Sequence, residues 1–128
     1  MRTLFILAAC ILFLASCEDI LEVPDISGQE VELVAPLNGT VVNQNLVNFT
    51  WNGVADADAY LIQVATPNFA EASQVLLDSI VVLDSTFLGT QASKSLLNST
   101  YEWRVKAVNS AFETDFSQGA FSVQATGE

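Results

Sequence analysis

Thr100-Tyr101-Glu102-Trp103-Arg104-Val105-Lys106-Ala107-Val108-Asn109 is the stretch that decides the fold. Apolar residues fall at Tyr101, Trp103, Val105 and Ala107, and charged residues fall at Glu102, Arg104 and Lys106. A period of two sends the two sets to opposite sides of an extended backbone. The stretch therefore reads as a strand with one buried and one wet face, the central strand of a β-sandwich. Its wet face reads as a cross-strand charge ladder.

Similar patterns lie upstream and downstream, separated by turn residues. Val31–Val34 reads as a first strand, followed by Pro36 and the Asn38-Gly39 turn signal. Leu46–Trp51 follows, with Val47, Phe49 and Trp51 on one face, and Asn52-Gly53 ends it. Tyr60–Ala65 is next, with Tyr60, Ile62 and Val64 inward. Residues 66–72 read as a helical turn, with Phe69 packed beneath. Residues 74–83 read as one or two strands broken near Asp78-Ser79. Ser85–Leu88 and Phe116–Gln124 complete the set, with Phe121 and Val123 inward. About seven short strands and no strong helix predict an all-β, two-sheet sandwich; a small barrel is the competing architecture.

Three motifs carry a resemblance: Phe49-Thr50-Trp51, Tyr60-x-Ile62-x-Val64, and Leu97-Asn98-Ser99-Thr100-Tyr101-x-Trp103-Arg104-Val105. Together they resemble the fibronectin type III domain, an immunoglobulin-like sandwich of antiparallel strands, in the version found in short bacterial lipoproteins. The resemblance covers residues 31–124. It implies that Tyr101 bonds back to the preceding corner, and that Trp51, Tyr60, Tyr101 and Trp103 form the structural core. It also implies recognition by the loops at one end of the sandwich. Those loops run over residues 52–59 and 110–115, with Asp56, Asp58, Phe112, Glu113 and Asp115 as candidate ligand contacts. Phe112 either stacks on a ligand or folds back to cap the core.

The N-terminus has a different character. Arg2 precedes an unbroken apolar run, Leu4–Ala15. A membrane-spanning helix needs about 20 apolar residues, so this run fits the core of a secretory signal instead. Leu14-Ala15-Ser16-Cys17 resembles a bacterial lipobox, which implies cleavage before Cys17 and a lipid on its thiol and amine. The expected division is a signal peptide over 1–16, a lipid-anchored acidic tether over 17–30, the sandwich over 31–124 and a tail over 125–128. With Cys17 acylated and Cys10 removed, no disulfide is expected. The acidic pair Glu18-Asp19 resembles a surface-export signal of gliding Gram-negative bacteria, or is simply a solvated tether. The implied location is the cell envelope, as an outer-membrane lipoprotein, on the periplasmic or the surface side.

Charge narrows the function classes. Without Arg2, the cations Lys94, Arg104 and Lys106 stand against fifteen acids, a net charge of −12. Such a surface repels nucleic acid and anionic lipid headgroups. Histidine is absent, which removes Ser-His-Asp and Cys-His arrangements and His-based zinc sites. The pairs Asp56/Asp58 and Glu113/Asp115 lie in loops, where solvated acids are the norm. Two carboxylates also fall short of the six to eight oxygen ligands that Ca²⁺ takes. Asp78-Ser79-Ile80 and Asp84-Ser85-Thr86 resemble the O-glycosylation acceptors of the same bacterial group. The expectation is a monomeric, non-catalytic binding or spacer module without cofactor or metal, its partner an unidentified protein or a glycan; the alternative is a glycan-binding accessory lipoprotein of a polysaccharide-uptake system. Two outward-facing aromatics would favour a glycan. A long bare sheet edge would favour a protein.

Overall fold

The computed structural model describes residues 22–83 and 89–126. Cys17, the apolar run before it, and the Asp84-Ser85-Thr86 and Ser85–Leu88 segments lie outside the described residues. Eight strands form: β1 (Leu33–Ala35), β2 (Thr40–Val42), β3 (Leu46–Trp51), β4 (Ala59–Thr66), β5 (Gln74–Val82), β6 (Gln91–Ser95), β7 (Ser99–Val108) and β8 (Ser117–Val123). They make two sheets, ordered β1-β3-β6 and β2-β8-β7-β4-β5. The fold is an all-β, immunoglobulin-like sandwich.

β7 is the middle strand of the larger sheet, between β4 and β8. Tyr101, Trp103, Val105 and Ala107 are buried, and the residues between them are half-buried. Facing this row, β3 supplies Val47, Phe49 and Trp51, also buried. The rings of Phe49 and Trp103 lie 5.0 Å apart, those of Trp51 and Trp103 6.4 Å apart, and those of Trp51 and Tyr60 5.7 Å apart. Tilted aromatic packing of this kind adds about 0.5–1.5 kcal/mol per pair beyond the burial of area. The Trp103 indole N–H donates to the Pro36 carbonyl at 3.1 Å. The Trp51 indole N–H is buried and has no hydrogen-bond partner among the described residues. Tyr101 closes the corner, its hydroxyl donating to the Leu97 carbonyl at 2.6 Å.

Several local expectations need correction. Not all strands are antiparallel: β2, which the periodicity does not reveal, runs parallel to β8. Three residues are too few to show an alternation. Residues 74–82 form one continuous strand, with no break at Asp78-Ser79, because Asp78 points outward toward Gln63 and costs nothing in the core. A further strand, β6, lies at Gln91–Ser95, where polar residues hide the pattern. Residues 67–73 form turns rather than a helical segment, with the Ser73 N–H donating to the Thr66 carbonyl. The first strand begins at Leu33 rather than Val31.

The tether reading also changes. Ile26 is only 2% exposed and belongs to the core cluster with Val31. The Pro24 carbonyl accepts a hydrogen bond from Asn109 Nδ2 at 2.8 Å. Residues 24–30 are therefore part of the folded unit. Isolated apolar residues in an acidic, Pro- and Gly-containing stretch carry no period, which is why Ile26 is not legible as core.

Candidate functional site

Three surfaces compete as the site, and the first is the loop end. Strand directions place residues 22–32, 52–58 and 109–116 at one end of the sandwich, and Asn109 binds these segments together. Its Oδ1 accepts from the N–H groups of Ala111 and Phe112 at 3.0 and 2.8 Å. Its Nδ2 donates to the carbonyls of Pro24 and Asp56 at 2.8 and 3.3 Å. The Tyr60 hydroxyl accepts from the Val54 N–H at 2.7 Å and pins the other loop from beneath. Asp56 has a φ of 69° at the third position of a turn closed by the Ala57 N–H on the Val54 carbonyl. A type II turn requires a positive φ there, and Asp tolerates it.

Each candidate contact thus has a local job or stays solvated. Phe112 is half-buried and packs against the core. Glu113 Oε2 pairs with Lys106 Nζ at 3.0 Å. Asp56, Asp58 and Asp115 are exposed. Buried Thr114 accepts the Ala107 N–H on its hydroxyl and donates to the Asp115 carbonyl. The Ser27 hydroxyl and N–H both donate to Asp25, and these bonds hold its carboxyl below the ordinary range. Among the described residues no three His, Cys, Asp or Glu side chains converge as a metal site.

The second surface is the outer face of the large sheet. Phe69 lies here rather than beneath the sheet. Its ring centroid is 4.0 Å from the Arg104 guanidinium carbon, and the Phe116 centroid is 4.3 Å from it. Arg104 Nε donates to Gln63 Oε1 at 2.8 Å, and Glu102 accepts the Phe69 N–H at 2.9 Å. The wet face of β7 is thus a cation–aromatic stack rather than a cross-strand charge ladder. Its one ion pair among the described residues is Lys106–Glu113. At the opposite end of this face, Thr40, Pro67, Asn68, Thr100, Glu102 and Ser122 contribute to a cleft of about 320 Å³.

The third surface is the edge formed by β5, which among the described residues has β4 as its only strand neighbour. Val75, Ile80 and Val82 are exposed at 53, 66 and 62%. Ser79, on the same strand, is exposed too. None of the large exposed apolar residues in the described chain is aromatic.

No family model matches the chain, and no curated protein matches it. Solved structures do. CopC from Methylosinus trichosporium OB3b aligns at 12% identity with a TM-score of 0.52, over 77% of this chain and 98% of that one. FN3tt aligns at 14% identity with a TM-score of 0.51, over 76% of this chain and 97% of that one. The fold is fibronectin type III-like. A β-sandwich protein redesigned by computer is also similar, at 16% identity and a TM-score of 0.50, over 77% and 94% of the two chains. Identities this low speak to architecture alone.

Proposed function

We propose that this chain is a lipid-anchored, non-catalytic module of the cell envelope that holds a protein partner close to an outer membrane. The observation that favours a protein over a glycan is the β5 edge, with its exposed Val75, Ile80 and Val82. A sugar platform needs open aromatic faces. Phe69 and Phe116, the outward aromatics of the large sheet, both lie against the Arg104 guanidinium.

The anchor is Cys17, which takes a diacylglycerol and an acyl chain. Two or more chains hold where one is marginal, at about 0.8 kcal/mol per buried CH₂. Counted to Pro24, whose carbonyl is bonded to Asn109, the seven residues from Cys17 can span at most about 25 Å. The end bearing Asn109, Asp56 and Glu113 then faces the lipid. The sides and the opposite end face outward, and β5 lies along one side. The acids of the membrane-facing end keep anionic headgroups at a distance.

Cys17→Ala tests the anchor. The expected result is transfer of the chain from the membrane to the soluble fraction. A processed variant that stays with membranes would contradict the proposal.

A further inference from the structure

Resting on the reading above, we infer that β5 takes up an extended, basic segment of a protein partner as a sixth strand of the large sheet. The backbone argues first. β5 has nine residues, and among the described residues no strand lies on its outer side. A row of unpaired N–H and C=O groups is a template for strand addition. Natural proteins blunt such edges with short strands, bulges, proline or lysine. The other edges here follow that rule. β1 and β2 have three residues each, and β6 carries Lys94. β5 does not follow it. Its one irregularity lies near Leu76, where the register with β4 shifts. From Leu77 to Val82 the register is regular and the run contains neither proline, glycine nor lysine. Six such residues present about 20 Å of edge.

Side chains specify what the added strand carries. Pairing with β4 sets Asp78 opposite Gln63, Ile80 opposite Leu61 and Val82 opposite Ala59, all on the outer face. An added strand therefore meets aliphatic side chains at two outer positions and a carboxylate at the third. Asp78 is the only charge in β5. One of its oxygens accepts from Gln63 Nε2 at 3.2 Å, a contact within the sheet that leaves the negative charge uncompensated. A Lys or Arg directly opposite Asp78 would sit about 5 Å away between Cβ atoms, close enough to pair.

That cation comes from outside the chain. Of the cations on this sheet, Lys106 is paired with Glu113, and Arg104 is held by Gln63 and two phenyl rings. A second copy is a poor occupant. It would oppose one net charge of −12 with another, and antiparallel pairing about the strand centre brings Asp78 beside Asp78. A basic partner gains from the same field, both in encounter rate and in rejection of wrong partners.

The test uses random peptides of about ten residues displayed on phage, panned against the lipidated chain in detergent. The expected binders alternate aliphatic residues with polar ones and carry Lys or Arg on the outer face. They should slow amide hydrogen exchange at Leu77–Val82, and added salt should weaken them. Ile80→Lys, at an exposed position, should reduce their binding at least tenfold with an unchanged unfolding midpoint. Asp78→Lys should shift the selection to peptides carrying Glu or Asp.

Failure to select binders, acidic binders to the unsubstituted chain, or exchange protection away from β5 would each overturn the inference. So would a concentration-dependent dimer abolished by Ile80→Lys, which would assign the edge to a second copy. Failure of the anchored-module reading looks different. It appears as membrane retention of Cys17→Ala and leaves the peptide result untouched.

Discussion

The loop end and the β5 edge differ in how their polar groups are used. At the loop end, Asn109 alone satisfies two backbone N–H groups and two carbonyls, and Tyr60 and Thr114 satisfy others. Lys106 neutralises Glu113, and Phe112 covers the core. Along β5, one side of the backbone has no strand beside it among the described residues, and aliphatic side chains face water. Loops at the end of a sandwich look adaptable and strands look structural, yet here much of the loop backbone is tied down by the fold and, among the described residues, a strand edge is left open. Two groups in the same chain thus differ in what they have left to offer a ligand.

If this contrast holds, substitutions at the loop end cost stability and substitutions on β5 cost binding. Asn109→Ala should have the largest effect on stability. It removes four hydrogen bonds worth about 0.5–1.5 kcal/mol each, so about 2–6 kcal/mol is expected in urea unfolding. Phe112→Ala should follow at about 2 kcal/mol, below the range of about 3–5 for a fully buried Phe because its ring is only half-buried. A loss of less than about 0.5 kcal/mol for both would mean that the loops are free after all.

Tyr60→Phe should cost about 1–2 kcal/mol, because the Val54 N–H loses its acceptor. Tyr101→Phe, at the corner at the other end, should cost about 1 kcal/mol at neutral pH and also change the pH profile. Burial raises the Tyr101 phenol above its ordinary value of 10.0. The unfolded chain ionises first as pH rises, so the stability tied to the neutral phenol is present below that value and is lost as pH climbs through the folded one. The variant should show a flatter loss of stability above that value. Ile80→Lys is the smallest of the set, with a change within about 0.5 kcal/mol, since it alters an exposed side chain on an edge.

The inner face of β7 was legible because every second residue from Tyr101 to Ala107 is apolar and nothing interrupts the period. Trp51, Tyr60 and Phe49 were legible for the same reason. β2 was not, since three residues carry no period, and β6 was not, since Gln91, Ser93, Lys94 and Ser95 outweigh its one half-buried alanine. Ile26 and Asn109 escaped for another reason. Their importance comes from contacts across long stretches of chain, 85 residues in the case of Asn109 with Pro24, and no local pattern records them. Phe69 reads in sequence as packed beneath a turn, yet Arg104 on the outer face gives it a partner there. The open edge of β5 is a property of sheet order, which periodicity does not specify. A composition cue was present nonetheless: a strand rich in Val, Leu and Ile, with one charge and no proline, lacks the usual edge defences.

The claim that the edge rather than the loop end meets the partner can be tested in cells. A photo-reactive phenylalanine analogue is placed at Ile80 in one strain and at Ala111 in another. Both residues are exposed, and Ala111 lies in the loop end. After illumination, the account expects a protein adduct from position 80 and none from position 111. An adduct from position 111 alone would contradict it and return recognition to the loops.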